Sequence, residues 1–464
     1  MAVTSIIYIF ANGKPQLDTF MKQFFKYVFA SFVGTLLFSI IMGCFAFITI
    51  IGMIASTQTT NEIKDNSVLV LNLSGQLTER SEDNNIISQL QGKIGTIGLD
   101  NLLSAIDKAK NNKNIKGIYI EAGAFTADSY ASLQAVRNAL VDFKKSGKWI
   151  ITYADIYTQG TYYLSSSANK VYLNPQGQID WHGLSSQPVF VKDLLKKFGV
   201  KMQVMKVGTY KSATEMFTGD KMSDANREQT SAYLNSIWGN ITKDVSATRN
   251  ISVSSLNAYA DSMITFAAPT DYLKYKLVDG LLYTDQVKAV VKKQLGLDKD
   301  DDINQVSIDD MQGVEDEEND NSDNQIAVYY AYGDIVDGAA GGLFAQGHTI
   351  DAQVVCKDLE KLANDKDVKA IVLRVNSGGG SAYASEQIWH QIMELKKQKP
   401  VVVSMGGMAA SGAYYISAPS NWIVAEPTTL TGSIGIFGMF PDFSGLLTEK
   451  LGIKFDEIKT NKFS

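Results

Sequence analysis

The chain has 464 residues, enough for two or three domain cores, and its 20% charged and 45% hydrophobic residues are ordinary for globular domains. The formal net charge is −6, yet the run DKDDDINQVSIDDMQGVEDEENDNSD (298–323) alone holds twelve acids and one lysine, so the remainder carries about +5. This excludes a broadly acidic protein, and the lack of a basic patch interleaved with aromatics argues against a nucleic-acid partner. Two cysteines, Cys44 and Cys356, suit neither a disulfide framework nor a metal cluster. Three scattered histidines, His182, His348 and His390, make no ligand set, so no metal or cofactor is expected.

The first element in chain order is a run of thirty uncharged residues, Tyr27 to Ser56. About twenty such residues span a bilayer as a helix. The run is too long, too far from Met1 and too poor in a small-residue exit site to read as a cleaved signal peptide. Lys22 and Lys26 precede it, which predicts a cytoplasmic segment 1–26 and everything after about residue 57 on the opposite side. In a bacterium with two membranes that means a single-pass inner-membrane protein with periplasmic domains.

Beyond the span the chain repeats itself. SVLVLNLSGQL (67–77) is echoed by IAVYYAYGDIVDG (326–338), NIKGIYIEAG (114–123) by DVKAIVLRVN (367–376), and KWIITYADIYTQGTYYLSSSANKVYLNP (148–175) by KPVVVSMGGMAASGAYYISAPSNWIVAEP (399–427). The offset stays near 252 residues in the second and third of these pairs. Each copy alternates apolar β runs with a helical pattern, which predicts α/β domains with mainly parallel sheets. The expected organisation is therefore an anchor (27–56), an N-terminal domain (57–297), an acidic linker (298–324) and a C-terminal domain (325–464). About 85 residues follow Lys211 in copy one before the linker, whereas copy two reaches the equivalent point at Ser464, so the second copy reads as shortened.

Two stretches of copy two carry candidate chemistry. RVNSGGGSAY (374–383) closes a strand with three glycines and opens a helix. It lacks the ending of a nucleotide loop and does not match GxGxxG. Either it is a plain strand-to-helix turn, or Gly379 and Gly380 expose backbone N–H groups to a developing oxyanion. Its counterpart in copy one, IEAGAFTAD, has one glycine. In MAASGAYY, Ser411 is either a helix N-cap or a nucleophile; its counterpart is Gln159, which cannot attack. No histidine lies near Ser411 in sequence. A desolvated lysine can replace one as base. Lys211 in GTYKSA is matched by Ser464 of copy two, so each copy would hold half of a dyad. Lys459 and Lys462 are the local competitors.

NSGGG, MAASGAYYISAP, LTGSIG and GTYKSA together resemble the signal peptide peptidase A family, in its long, two-domain, membrane-anchored bacterial form. The resemblance covers nearly the whole chain. It implies tandem crotonase/Clp-like domains, a homotetrameric bowl, and serine proteolysis of signal peptide remnants and other short hydrophobic peptides. It also implies Ser411 as nucleophile, Lys211 as general base, Ser433 as the residue orienting the lysine, and Gly379 and Gly380 at the oxyanion hole. One departure is Gly378, where the family usually has proline. Two alternatives are a crotonase-type acyl-CoA enzyme and a non-enzymatic membrane scaffold that binds peptides.

Overall fold

A computed structural model describes residues 14–56, 62–81, 95–314, 322, 324–338 and 348–464. Two units result, residues 1–62 and residues 63–464. In the first, one helix, α1, runs Lys14–Ser56. Its stretch Gln23–Phe45 has a mean hydropathy of 2.2 and is long and apolar enough to cross a membrane. Phe25, Phe29, Phe38 and Phe45 lie exposed along it. The opening residues 1–13 of the expected cytoplasmic segment lie outside the described residues.

The second unit holds both copies. Copy one contributes β1 (Ser67–Thr78), β2 (Thr96–Gly98), α2 (Leu99–Asn111), β3 (Ile115–Ala127), α3 (Tyr130–Lys144), β4 (Trp149–Tyr157), α4 (Gln159–Ser165) and β5 (Lys170–Ile179). A strand outside this sheet, β6 (Lys201–Lys206), a long helix α5 (Asp224–Arg249) and β7 (Gly280–Leu281) follow. The sheet order is β2-β1-β3-β4-β5-β7, and every pairing in it is parallel. Copy two repeats the series in β9 (Gln325–Tyr332), β10 (Asp334–Val336), β11 (Thr349–Asp351), α6 (Ala352–Asn364), β12 (Val368–Ser377), α7 (Ala382–Lys396), β13 (Val401–Ala410) and α8 (Gly412–Ser417). Its sheet runs β9-β12-β13-β14, with β14 at Trp422–Val424 and β15 (Leu430–Gly432) also on β13.

The repetition extends to the caps. Ser129 accepts from the Ser132 N–H to start α3, and Ser381 accepts from the Ala384 N–H to start α7, at the same 252-residue offset. Each helix then turns one apolar face inward: Leu133, Val136, Leu140 and Phe143 in α3; Ala384, Ile388, Ile392 and Leu395 in α7. The copies keep separate cores, copy one's around Leu69, Leu71, Ile118 and Ile120 and copy two's around Ile371, Leu373, Val401 and Val403.

The acidic segment is folded at its start. Residues Asn304–Val306 form β8, parallel to β1, and Ile308–Gln312 forms a helical turn capped by Ser307. Val306 and Met311 are buried in copy one's core, so these apolar residues outweigh the charges around them. Residues 315–321 and 323 of the segment lie outside the described residues.

Away from Lys211, contacts in two regions join the copies among the described residues. Glu79, just past β1 and 4% exposed, takes hydrogen bonds from Arg374 Nε at 2.6 Å, Arg374 Nη2 at 3.3 Å and Asn376 Nδ2 at 3.1 Å. Asn376 Nδ2 also reaches Asp128 at 2.8 Å, and Thr428 donates to buried Gln134 at 2.8 Å. The second connection is an antiparallel ladder between β6 of copy one and β16 (Phe437–Asp442) of copy two, in register from Lys206↔Phe437 to Lys201↔Asp442.

Candidate active site

The β6–β16 ladder sets the position of Lys211. Val207 N–H continues it by donating to Ile436 O at 2.9 Å. The chain then turns at Gly208 (φ 105°), where a Cβ would stand 2.9 Å from Ile434 O. Facing it, Gly435 (φ 139°) lies so close that a Cβ would meet Val207 O at 2.3 Å. Two glycines thus let the strands approach, and Lys211 leaves the turn pointing into copy two. The far side of its loop is held by Glu215, which accepts from Ser223 Oγ at 2.6 Å, Ser223 N–H at 3.1 Å and Asn226 Nδ2 at 3.1 Å.

Lys211 Nζ lies 3.0 Å from Ser411 Oγ, 2.9 Å from Ser433 O and 3.2 Å from Ser433 Oγ. The residue is 3% exposed. Burial pushes its pKa below the usual lysine range. The shift raises the share of neutral amine, whose lone pair can accept the Ser411 O–H.

Ser411 follows β13 directly and precedes α8. Its backbone sits at φ 55°, ψ −117°, in the sparsely populated positive-φ region, and its hydroxyl makes no cap bond to α8. The N-cap alternative is therefore not what the hydroxyl does in this structure. Its N–H donates to Gly432 O at 2.9 Å, which ties the residue to β15. Ser433 also has φ 55°. Both serines are held in strained conformations at the ends of strands that pair with each other.

The glycine turn packs against Ser411 from the other side. At Gly379 (φ 97°) a Cβ would stand 2.6 Å from Gly412 N and 2.9 Å from Ser411 Cβ. At Gly380 it would stand 2.2 Å from Ile335 O. The two N–H groups differ in use. Gly379 N–H donates to Ser377 Oγ at 3.0 Å, inside the turn. Gly380 forms a parallel bridge with Ile335, whose own bonds run to Gly379 O and from Ser381 N–H. This directs Gly380 N–H away from Ile335. It comes within 3.3 Å of where a Cβ on Gly412 would stand. Gly412 N–H opens a helix and so has no intrahelical partner. Among the described residues neither N–H has an acceptor, so this pair, beside Ser411, is positioned to receive a developing oxyanion. Gly412 is a donor that the motif reading missed. The signal for it was its place directly after the serine at a helix start.

The other candidates fall elsewhere. Lys459 pairs with Glu457 at 3.0 Å and Lys462 lies over Phe463; both are exposed. His182 and His348 bond backbone carbonyls of Gly183 and Tyr332. Among the described residues no group of three or more His, Cys, Asp or Glu is placed to hold a metal ion. Gln159, the counterpart of Ser411, is buried and saturated. Its Oε1 accepts from His182 and Gly183 N–H groups, and its Nε2 donates to Tyr130 Oη and Gly183 O.

Comparison with known proteins adds identity to this geometry. The profile of Peptidase family S49 matches residues 142–298 and 393–464, and that of Clp protease matches residues 341–422. Protease 4 of Salmonella typhi is 36% identical over 464 residues, covering 95% of this chain and 73% of that protein. Protease 4 of Haemophilus influenzae is 35% identical over 435 residues, covering 90% and 69%. The chloroplastic serine protease SPPA of Arabidopsis thaliana is 29% identical over 406 residues, covering 87% and 58%. The α/β architecture expected from the repeats and the Clp-like fold implied by the resemblance agree with these matches, and the protein belongs to peptidase family S49.

Proposed function

We propose that this serine peptidase hydrolyses peptides with Ser411 as nucleophile and Lys211 as general base. The contact between the buried amine and the hydroxyl, at 3.0 Å across two hundred residues of sequence, is the observation that carries the reading. Neutral Lys211 takes the proton as Ser411 Oγ attacks the peptide carbonyl. Gly380 and Gly412 N–H groups stabilise the oxyanion, while Gly379 shapes the turn. The protonated amine then donates to the leaving nitrogen, and water resolves the acyl-enzyme. Ser433 orients the amine through its carbonyl and hydroxyl. On this reading residues 57–297 are the domain that supplies the lysine, and residues 325–464 the domain that supplies the serine.

The apolar helix fits a single-pass membrane protein. By family resemblance, the substrates are signal peptide remnants and other short hydrophobic peptides, and the assembly is a homotetramer. The Lys22/Lys26 flank supports catalytic domains on the periplasmic face of the inner membrane. Reporter fusions after Thr60 and Tyr330 that are active only outside the cytoplasm test the topology. The chemistry is tested by labelling with a fluorophosphonate followed by peptide mapping. Adduct at Ser411, lost in Lys211→Ala, is expected; an unlabelled, peptide-cleaving enzyme would overturn the assignment. A crotonase-type acyl-CoA enzyme would need neither the adduct nor the buried amine.

A further inference from the structure

Copy one has a cleft where copy two has its catalytic turn. In copy one, β3 and β4 pair only as far as Glu121↔Tyr153. Past that point β3 stays on β1 through Leu73↔Ala122 and Gly75↔Phe125, while β4 stays on β5 through Ile156↔Gln178 and Tyr157↔Ile179. The two strands splay apart. In copy two the equivalent strands rejoin at Ser377↔Ala409, after a bulge. The opening in copy one is a cleft of about 400 Å³ lined by Glu121–Ala124 and by Tyr153–Ile156 and Thr158. That size lies in the range of small-ligand sites.

We propose that this cleft binds an extended peptide segment bearing a lysine or arginine. The facing backbones of β3 and β4 no longer serve each other there, and a strand edge without a partner is a template for an added strand. Charge selects the peptide. The lining holds the exposed carboxylates of Glu121 and Asp155 and no cationic side chain. Asp155 is oriented by Tyr153 Oη and Asn174 Nδ2, both donating to its Oδ1 at 2.8 Å. Ile156, 54% exposed, offers an apolar contact beside them. A signal peptide combines a basic end with an apolar run, so the cleft would hold the basic end of such a chain apart from the site of cleavage. The proposal rests on the peptidase reading only in taking peptides as the ligand.

The test uses the full chain carrying Ser411→Ala and a short leucine–alanine peptide with one lysine beside a photoreactive benzoylphenylalanine. Crosslinks should map to 121–124 or 153–158. They should fall about tenfold, the effect of losing roughly 1.4 kcal/mol, when the peptide's lysine becomes norleucine, and again in Glu121→Gln/Asp155→Asn. The norleucine arm needs no protein variant, so it decides the matter even if the double variant misfolds. Crosslinks confined to copy two, or copy-one crosslinks indifferent to the lysine, overturn the proposal. Cleavage of the peptide by the Ser411→Ala protein would instead overturn the role of Ser411, while the crosslinked position would still report on the cleft.

Discussion

The two copies share strands, helices and caps, and differ where β4 and β13 end. In copy one the chain passes from Tyr157 through Thr158, which caps the following helix at Thr161 N–H, into Gln159, a satisfied buried amide. In copy two it passes from Ala410 into Ser411 at φ 55°, which leaves its hydroxyl outside the cap. One end is relaxed and hydrogen-bonded; the other is strained and aimed at an amine from the opposite copy. Such strain persists only where the surroundings over-determine it. Here Gly432 O, Gly379 and the β6–β16 ladder do so. On the proposed reading, one copy holds the base and the other the nucleophile.

Exchanging features between the copies tests this comparison. The largest effect is expected for Ser411→Ala, with peptide turnover falling at least about 10³-fold and an unchanged far-UV circular dichroism spectrum. The reciprocal Gln159→Ser should create no second labelled serine. It should also lower stability in urea by about 1–3 kcal/mol, because buried partners of the amide lose their bonds. Retained turnover in Ser411→Ala would end the assignment of copy two as the catalytic copy.

Lys211→Ala should remove turnover to a similar degree, whereas Lys459→Ala and Lys462→Ala should change it less than about twofold, as exposed side chains away from the site. The pH profile carries the sign. Burial lowers the Lys211 pKa, so the amine charges, and kcat falls, as pH drops through that lowered value; above it the base is neutral and activity is sustained. A profile flat through the acid limb would remove Lys211 as the base.

Glycine substitution separates the copies. Gly379→Ala places a Cβ against Gly412 N and Ser411 at positive φ and should reduce kcat by about 10²-fold or more, the range for losing an oxyanion donor. Gly123→Ala, inside β3 of copy one, meets Leu73 O at 3.3 Å and should leave kcat within a few-fold. Equal loss in both would mean the glycine turn serves folding alone. The smallest effect is expected for Ser433→Ala. The amine keeps its bond to Ser433 O, so a loss of about tenfold, one hydrogen bond's worth, should appear in kcat. An unchanged kcat would show that the carbonyl alone orients Lys211.

Much of this was legible because it is local. The apolar span, the 252-residue repeat, the capped helices and the positions of Ser411 and the glycine turn follow from composition, period and short motifs, whereas Ser433 came only from the family resemblance. The acidic segment was misjudged in part, because Val306 and Met311 supply a strand and a buried contact that average charge conceals. Gly412 was missed because a backbone donor has no side-chain signature.

Local sequence patterns are therefore enough to give the pair of copies and the residues that differ between them. Periodicity and turn chemistry act over a few residues and read the same in any context. Only the folded molecule shows that Lys211 meets Ser411, that Gly379 N–H is engaged within its turn while Gly380 N–H points away from Ile335, and that β3 and β4 part at Glu121. These depend on the docking of the copies through Glu79–Arg374 and the β6–β16 ladder, and on strand register. The docking is set by packing between segments hundreds of residues apart and the register by pairing between separate strands, where no local pattern carries the information.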